Sequence, residues 1–452
     1  MWSTFFVIAL AARPQPAPPL AETATLVGKA AALSPAPFEE LTELCDTIGH
    51  RLSGSANLER AIVWGLAHMK ADGLNAWTEA ISVPTWTRGA ERGVLLDPIS
   101  RPLDLMALGG TIGTPPGGLT AEVVVVDDWD HLARLGEAVA GKIVLFDVPF
   151  TDYGTTVAYR GRGAIEAARL GAVGALVRSV TPVSLATPHT GAMYYADDVP
   201  RIPSAALSVE HATLIRRLSL RSPVRVQIEL GAATQADRPS ANVVGQVTGR
   251  EKPDEIVLLG CHLDSWDVGT GAQDDGAGCV LVLEALARIR ALPVAPRRTV
   301  RGVLFTNEEN GLRGGKGYAS LHANERHVAA IEADTGAGTP LGFHIDAGLP
   351  EEAQVLTPEL AQALAPLAAL LAPYGATAFS PGGSGADVGP TVDKGGVLGM
   401  GLSQDMSTYW PIHHTEADTI DKVDPAKLSA NAAVMTIAAY WLAETPTLPA
   451  IP

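Results

Sequence analysis

Three short apolar runs, Ile256–Leu259, Val300–Phe305 and Val328–Ala333, constrain the fold of this chain more than any other feature. Each is bounded by turn residues, and stretches with helical periodicity separate them. Short apolar runs alternating with helices fit a mostly parallel sheet, flanked by helices and buried on both faces. Each run also leads into residues that carry chemistry. Cys261-His262-Leu263-Asp264 follows the first, Thr306-Asn307-Glu308-Glu309 the second, and Glu332-Ala333-Asp334 closes the third. A glycine-rich turn, Gly271-Ala272-Gln273-Asp274-Asp275-Gly276-Ala277-Gly278, leads into a helix, and His413-His414-Thr415-Glu416-Ala417-Asp418 stands near the end. Working residues in such sheets gather beyond the carboxyl ends of the strands. A histidine and several carboxylates are therefore expected at corresponding ends of neighbouring strands.

Like charges crowded at one sheet edge cost free energy unless cations compensate them. Imidazole with carboxylate is a suitable shell for zinc. One His plus one carboxylate per ion, with a shared carboxylate, makes two open sites about 3.5–4 Å apart and leaves one carboxylate to move protons. Glu308 and Glu309 fit that division of labour. Taken singly, these features read blandly: a strand-end His or Asp caps a loop, Asp274-Asp275 makes a turn, and Glu308-Glu309 starts a solvated helix. Their combination in this order is far less ordinary. His50, His68, His131, His189, His211, His322, His327 and His344 have no comparable setting and are assigned to structure or surface.

The 452 residues exceed one ordinary compact domain. A formal charge of -16 disfavours a nucleic-acid partner. No apolar stretch of about 18 residues suggests a membrane span. Residues 1–20 combine an apolar stretch, Trp2 to Ala12, with a Pro-rich spacer, in the manner of a signal peptide without its positive start. The expectation is a secreted or periplasmic protein. Residues 21–118 form the first part of the main domain, with Ser55 capping a helix; Gly109 to Gly118 is a junction; 119–238 are a smaller α/β insert; 239–452 complete the main domain. Cys261 and Cys279 read as small buried residues, with a bridge between them left open. No G-x-S-x-G, H-E-x-x-H or P-loop motif occurs.

These motifs resemble the co-catalytic zinc exopeptidases, the group that includes bacterial aminopeptidases and glutamate carboxypeptidase. The resemblance runs from about Phe38 to Trp441 and takes in Arg51-Leu52-Ser53-Gly54-Ser55, Ile112-Gly113-Thr114-Pro115-Pro116, Pro188-His189-Thr190-Gly191, and His262 through Gly269. It implies two zinc ions per chain. One would take His262, Asp274 and Asp334, the other Asp274, Glu309 and His414, with Asp274 shared and Glu308 as general base. Asp264 would orient His262, a role metal-bound histidines need. A cis peptide bond after Asp274, a protease-associated domain as the insert, and a homodimer are implied as well. The loop Gly382 to Asp387 matches a substrate-binding loop loosely, which nominates Ser384 and Asp387.

The implied chemistry is amide hydrolysis of dipeptides and small peptides. Glu308 takes a proton from water and returns it to the leaving amine, and Tyr409 or His413 hydrogen-bonds the developing oxyanion. Two other readings stand beside it: an aminopeptidase for longer peptides, and a metal-free binding protein on the same scaffold. Retention of all five ligands and the base disfavours the second.

Overall fold

The computed structural model describes residues 19–348 and 355–451. The signal-peptide and spacer reading of residues 1–20 lies almost wholly outside the described residues; Leu20 already opens the helix Leu20–Ala32.

The main sheet has eight strands. Its centre is four parallel strands, in the order Arg298–Phe305, Lys252–His262, Arg326–Glu332 and Leu398–Gln404. The long pair Asn75–Thr87 and Ala233–Val247 extends one side antiparallel, and Pro340–Asp346 with Ala378–Pro381 closes the other. The expected mixed, mostly parallel sheet is thus present, and the three apolar runs form three of its four central strands. Arg298–Phe305 is buried throughout. Val257, Leu259 and Cys261 face a large core shared with the helices Ala56–Ala71, Ala277–Arg290 and Pro425–Glu444. Leu258 faces a second core with Val303, Phe305, Tyr318 and Val388. Both faces are covered, which is why these strands carry no polar alternation. Pro425–Glu444 is apolar nearly all round because neighbours enclose it. Among the described residues no helix is long and apolar enough to cross a membrane.

A second eight-stranded sheet lies at residues 91–230. It includes Glu91–Asp97, Arg101–Leu103 and Leu105–Ala107, so the boundary expected at residue 119 falls inside it. Glu91–Asp97 pairs with Arg225–Leu230, a contact remote in sequence that no local pattern signals. Gly109 to Gly118 is accordingly a connection within this unit. The helix Tyr153–Arg169 begins where Asp152 caps it by accepting the Thr155 N–H. Its glycines weaken the helical signal.

Ser55 caps Ala56–Ala71 as expected, accepting the Leu58 N–H at 3.2 Å. Just before it, Arg51 is fully buried and donates to the carbonyls of Gly49, Leu263, Thr270 and Gly271. One guanidinium thereby joins the N-terminal segment to both ends of the connection that follows the strand ending at His262. Cys261 and Cys279 are free, buried thiols facing each other. Arg51→Met should strand four carbonyls and lower stability by about 3 kcal/mol, read as a lower denaturant midpoint; an unchanged midpoint would contradict this structural role.

Candidate active site

Every carboxyl end of the central parallel strands feeds one cluster. His262 ends the strand Lys252–His262, Glu308 and Glu309 follow Phe305, and Asp334 follows Glu332. Asp274 comes from the turn before Ala277–Arg290, and His414 from the loop after Leu398–Gln404. His262 Nε2 lies 3.2 Å from Asp274 Oδ1 and 3.2 Å from Asp334 Oδ1. His414 Nε2 lies 3.1 Å from Asp274 Oδ2 and 3.1 Å from Glu309 Oε2. Asp274 therefore faces both histidines, one through each oxygen. The Asp274–Asp275 bond is cis.

Backbone groups hold this arrangement. The N–H groups of Gln273 and Asp274 donate to Asp418, and those of His262 and Gly278 to Asp275. His262 Nδ1 meets the main-chain carbonyl of Asp264 at 2.9 Å, while the Asp264 carboxylate is 3.9 Å away. That differs from the expected carboxylate contact. The Asp264 carboxylate instead accepts the N–H groups of Asn307, Glu308 and Glu309 and the Ser53 hydroxyl. It shapes the loop that presents the two glutamates, whose Asn307 has φ 74°, a conformation asparagine tolerates.

His414 is also held in the left-handed region, at φ 61°. Thr190 of the second unit clamps it: the Thr190 N–H donates to the His414 carbonyl at 3.0 Å, and the Thr190 carbonyl lies 3.2 Å from His414 Nδ1. With Nδ1 so engaged, Nε2 is left toward Asp274 and Glu309, the tautomer a ligating histidine needs.

Charge crowding perturbs several groups of the cluster. Burial would depress His262, yet Asp334 and Asp274 carry it well above the ordinary histidine range. Glu308 is pushed well up by burial, then by Asp334 and Glu309. Glu332, behind the cluster, is pushed up to about 8 by burial and Asp334. Asp418 is pushed up to about 7 by burial, against the N–H groups it accepts. Glu309 Oε1 is buried without a hydrogen-bond donor, and Asp274 Oδ2 has none beyond His414 Nε2. Acceptors left bare among like charges are what bound cations satisfy, and a set of two imidazoles and carboxylates suits zinc.

A cavity of about 360 Å³ opens onto Asp274, Glu308, Glu309, Asp334 and His414. Tyr409 and His413, both nominated from sequence, line it. Ser384 and Asp387 do not: both are buried behind it, Ser384 donating to Asp346 and the Asp387 N–H to Glu332. At Gly385 a Cβ would stand 2.2 Å from the Glu332 carboxyl carbon, so this loop is packed onto the strand end. Tyr153, Arg160, Tyr194 and Trp410 also line the cavity. No motif signalled them, since three come from the second unit.

The fold and the clustered site define a metallopeptidase of the zinc exopeptidase type. The model of Peptidase family M28 matches residues 242–439. Carboxypeptidase Q of Xenopus laevis is 40% identical over 413 residues, spanning 90% of this chain and 86% of that protein. Carboxypeptidase Q of Homo sapiens is 39% identical over 411 residues, 90% of this chain and 85% of its own. Among solved structures, a peptidase M28 precursor from Shewanella amazonensis has TM-score 0.90 and 35% identity, covering 96% of this chain and 99% of its own. The zinc aminopeptidase BSAP of Bacillus subtilis shares the fold, with TM-score 0.66 and 18% identity over 91% of this chain and 95% of its own. The chain belongs to peptidase family M28 and is a zinc-dependent metallopeptidase similar to carboxypeptidase Q.

Asp264→Ala should release three N–H groups and loosen the Asn307–Glu309 loop. The expected result is a weakened hold on metal at Glu309 and at least about a tenfold fall in kcat/KM, because small misplacements of reacting groups are costly. Metal titration and kinetics on the purified variant check it; wild-type values in both would remove Asp264 from this role.

Proposed function

We propose that this chain is a di-zinc exopeptidase that hydrolyses dipeptides and other small peptides with Glu308 as general base. The observation carrying this reading is the double contact of Asp274, one oxygen toward His262 and the other toward His414. His262, Asp274 and Asp334 would hold one ion, and Asp274, Glu309 and His414 the other. When bound, the ions supply Lewis acidity toward the scissile carbonyl and the attacking water.

Glu308 lies outside those contacts and borders the cavity. It takes the proton from the attacking water and delivers it to the leaving amine. His413, stacked against Tyr409 at 5.3 Å, and Tyr409 itself line the cavity and are the candidate donors to the developing oxyanion. Both ring nitrogens of His413 are otherwise buried without partners.

The restricted cavity supports small substrates, with the second unit as its roof. We assign that unit, residues 91–230, to the protease-associated domain. A homodimer and export belong to the same proposal, on the resemblance and on residues 2–12.

Metal analysis should find two zinc ions per chain. Asp274→Ala should lose both and His414→Ala mainly one, whereas Glu308→Gln should keep both and lose about 10²–10⁴-fold in kcat. Active protein without metal, or near-normal Glu308→Gln, would defeat the mechanism. A dipeptide should be cleaved with much higher kcat/KM than a ten-residue peptide. Equal cleavage would favour the aminopeptidase reading.

A further inference from the structure

Arg160 sits on the helix Tyr153–Arg169 of the second unit and reaches the cavity that holds the metal-ligand cluster. It is 7% exposed. A buried guanidinium ordinarily has a carboxylate partner, yet among the described residues Arg160 forms no ion pair. Its Nη2 donates to the Tyr153 hydroxyl at 3.0 Å and its Nη1 to the Thr190 carbonyl at 3.3 Å. Nε is buried with no partner. Nη1 also lies 3.3 Å from His414 Nδ1. When His414 ligates through Nε2, Nδ1 carries a proton and cannot accept from Arg160. Two acceptors then serve five N–H donors; Nε is shut away, and one N–H on each of Nη1 and Nη2 is left for a ligand in the cavity that Arg160 lines.

The position is built. At Gly191, φ 134°, a Cβ would stand 2.3 Å from Arg160 Cζ and Nη1, so the absence of a side chain there makes room for the guanidinium. The ring of Tyr153 lies 5.6 Å from Cζ. The other cation of the cavity wall, Lys316, is on an exposed segment and donates to the Gly311 carbonyl. Arg160 is thus the enclosed positive charge of a cavity otherwise lined by Asp274, Glu308, Glu309 and Asp334.

We propose that Arg160 binds a substrate carboxylate, namely the free C-terminal α-carboxylate of a dipeptide, and so sets a carboxypeptidase or dipeptidase mode of cleavage. The inference rests on the exopeptidase reading above. A planar fork of spare donors matches a carboxylate in two-point contact, and α-carboxylate is what distinguishes a short peptide's end from a continuing chain. The second unit would then supply substrate recognition as well as a roof.

The test compares Ala-Leu, Ala-Leu amide and Ala-Glu amide as substrates of zinc-loaded wild-type, Arg160→Met and Arg160→Lys protein. Wild type should favour Ala-Leu over Ala-Leu amide by about 100-fold in kcat/KM, the scale of a desolvated charge pair. Arg160→Met should bring that ratio near one by losing Ala-Leu alone, and Arg160→Lys should keep part of it. The ratio within one variant cancels any loss of metal or fold, which a merely structural role would change for both substrates alike. No preference in wild type, or an intact preference in Arg160→Met, overturns the proposal. Efficient cleavage of Ala-Glu amide would place the recognised carboxylate on the side chain and overturn the α-carboxylate assignment. If wild type cleaves none of the three, the exopeptidase reading fails instead. Calorimetric titration of Ala-Leu and its amide into zinc-loaded Glu308→Gln protein, with and without Arg160→Met, then decides the Arg160 assignment by itself.

Discussion

Crowding of carboxylates at one edge of a parallel sheet is the constraint around which this molecule is organised. Asp274, Asp275, Glu308, Glu309 and Asp334 converge with two imidazoles in a space where burial raises the cost of each charge. Such a cluster persists only if cations and backbone N–H groups compensate it. Much of the nearby architecture serves that end. Asp264 and Asp275 collect N–H groups, Asp418 holds the turn before Asp274, and Arg51 ties the loops together through their carbonyls.

The two sheets divide the work. The main sheet brings the candidate ligands together because parallel strands point the same ends the same way. The second unit completes the site from above. Its Thr190 holds His414, its Tyr153 and Arg160 line the cavity, and Arg88, on the connection into it, pairs with Asp267 of the first. A unit with no ligand of its own therefore still bears on the histidine's tautomer and on what fits beside it. His189, packed against His413 with both ring nitrogens unpartnered, is held down to about 3, chiefly by burial.

The central strands were legible from sequence alone, and so was the set of imidazoles and carboxylates that their ends bring together. Apolar runs buried on both faces have a local signature, and residues that follow strands in register need only the parallel arrangement to meet. Ser55 as a cap was legible for the same local reason. Less of the second unit could be read. Glu91–Asp97 joins its sheet through a partner more than a hundred residues away, and the glycines of Tyr153–Arg169 conceal half a helix. Ser384 and Asp387 were nominated by a loop motif, but packing on Glu332 turns that loop inward.

What the sequence determined by itself was the kind of chemistry: imidazoles and carboxylates of a type that suits zinc, gathered at one sheet edge. Those facts follow from side-chain type and from short-range periodicity. Tertiary structure alone decided that the main-chain carbonyl of Asp264, not its carboxylate, meets His262, that Thr190 braces His414, and that Arg160 stands enclosed in the cavity. Each of these is a contact between groups far apart in the chain, set by how two separately patterned units pack, and no local pattern encodes such a contact.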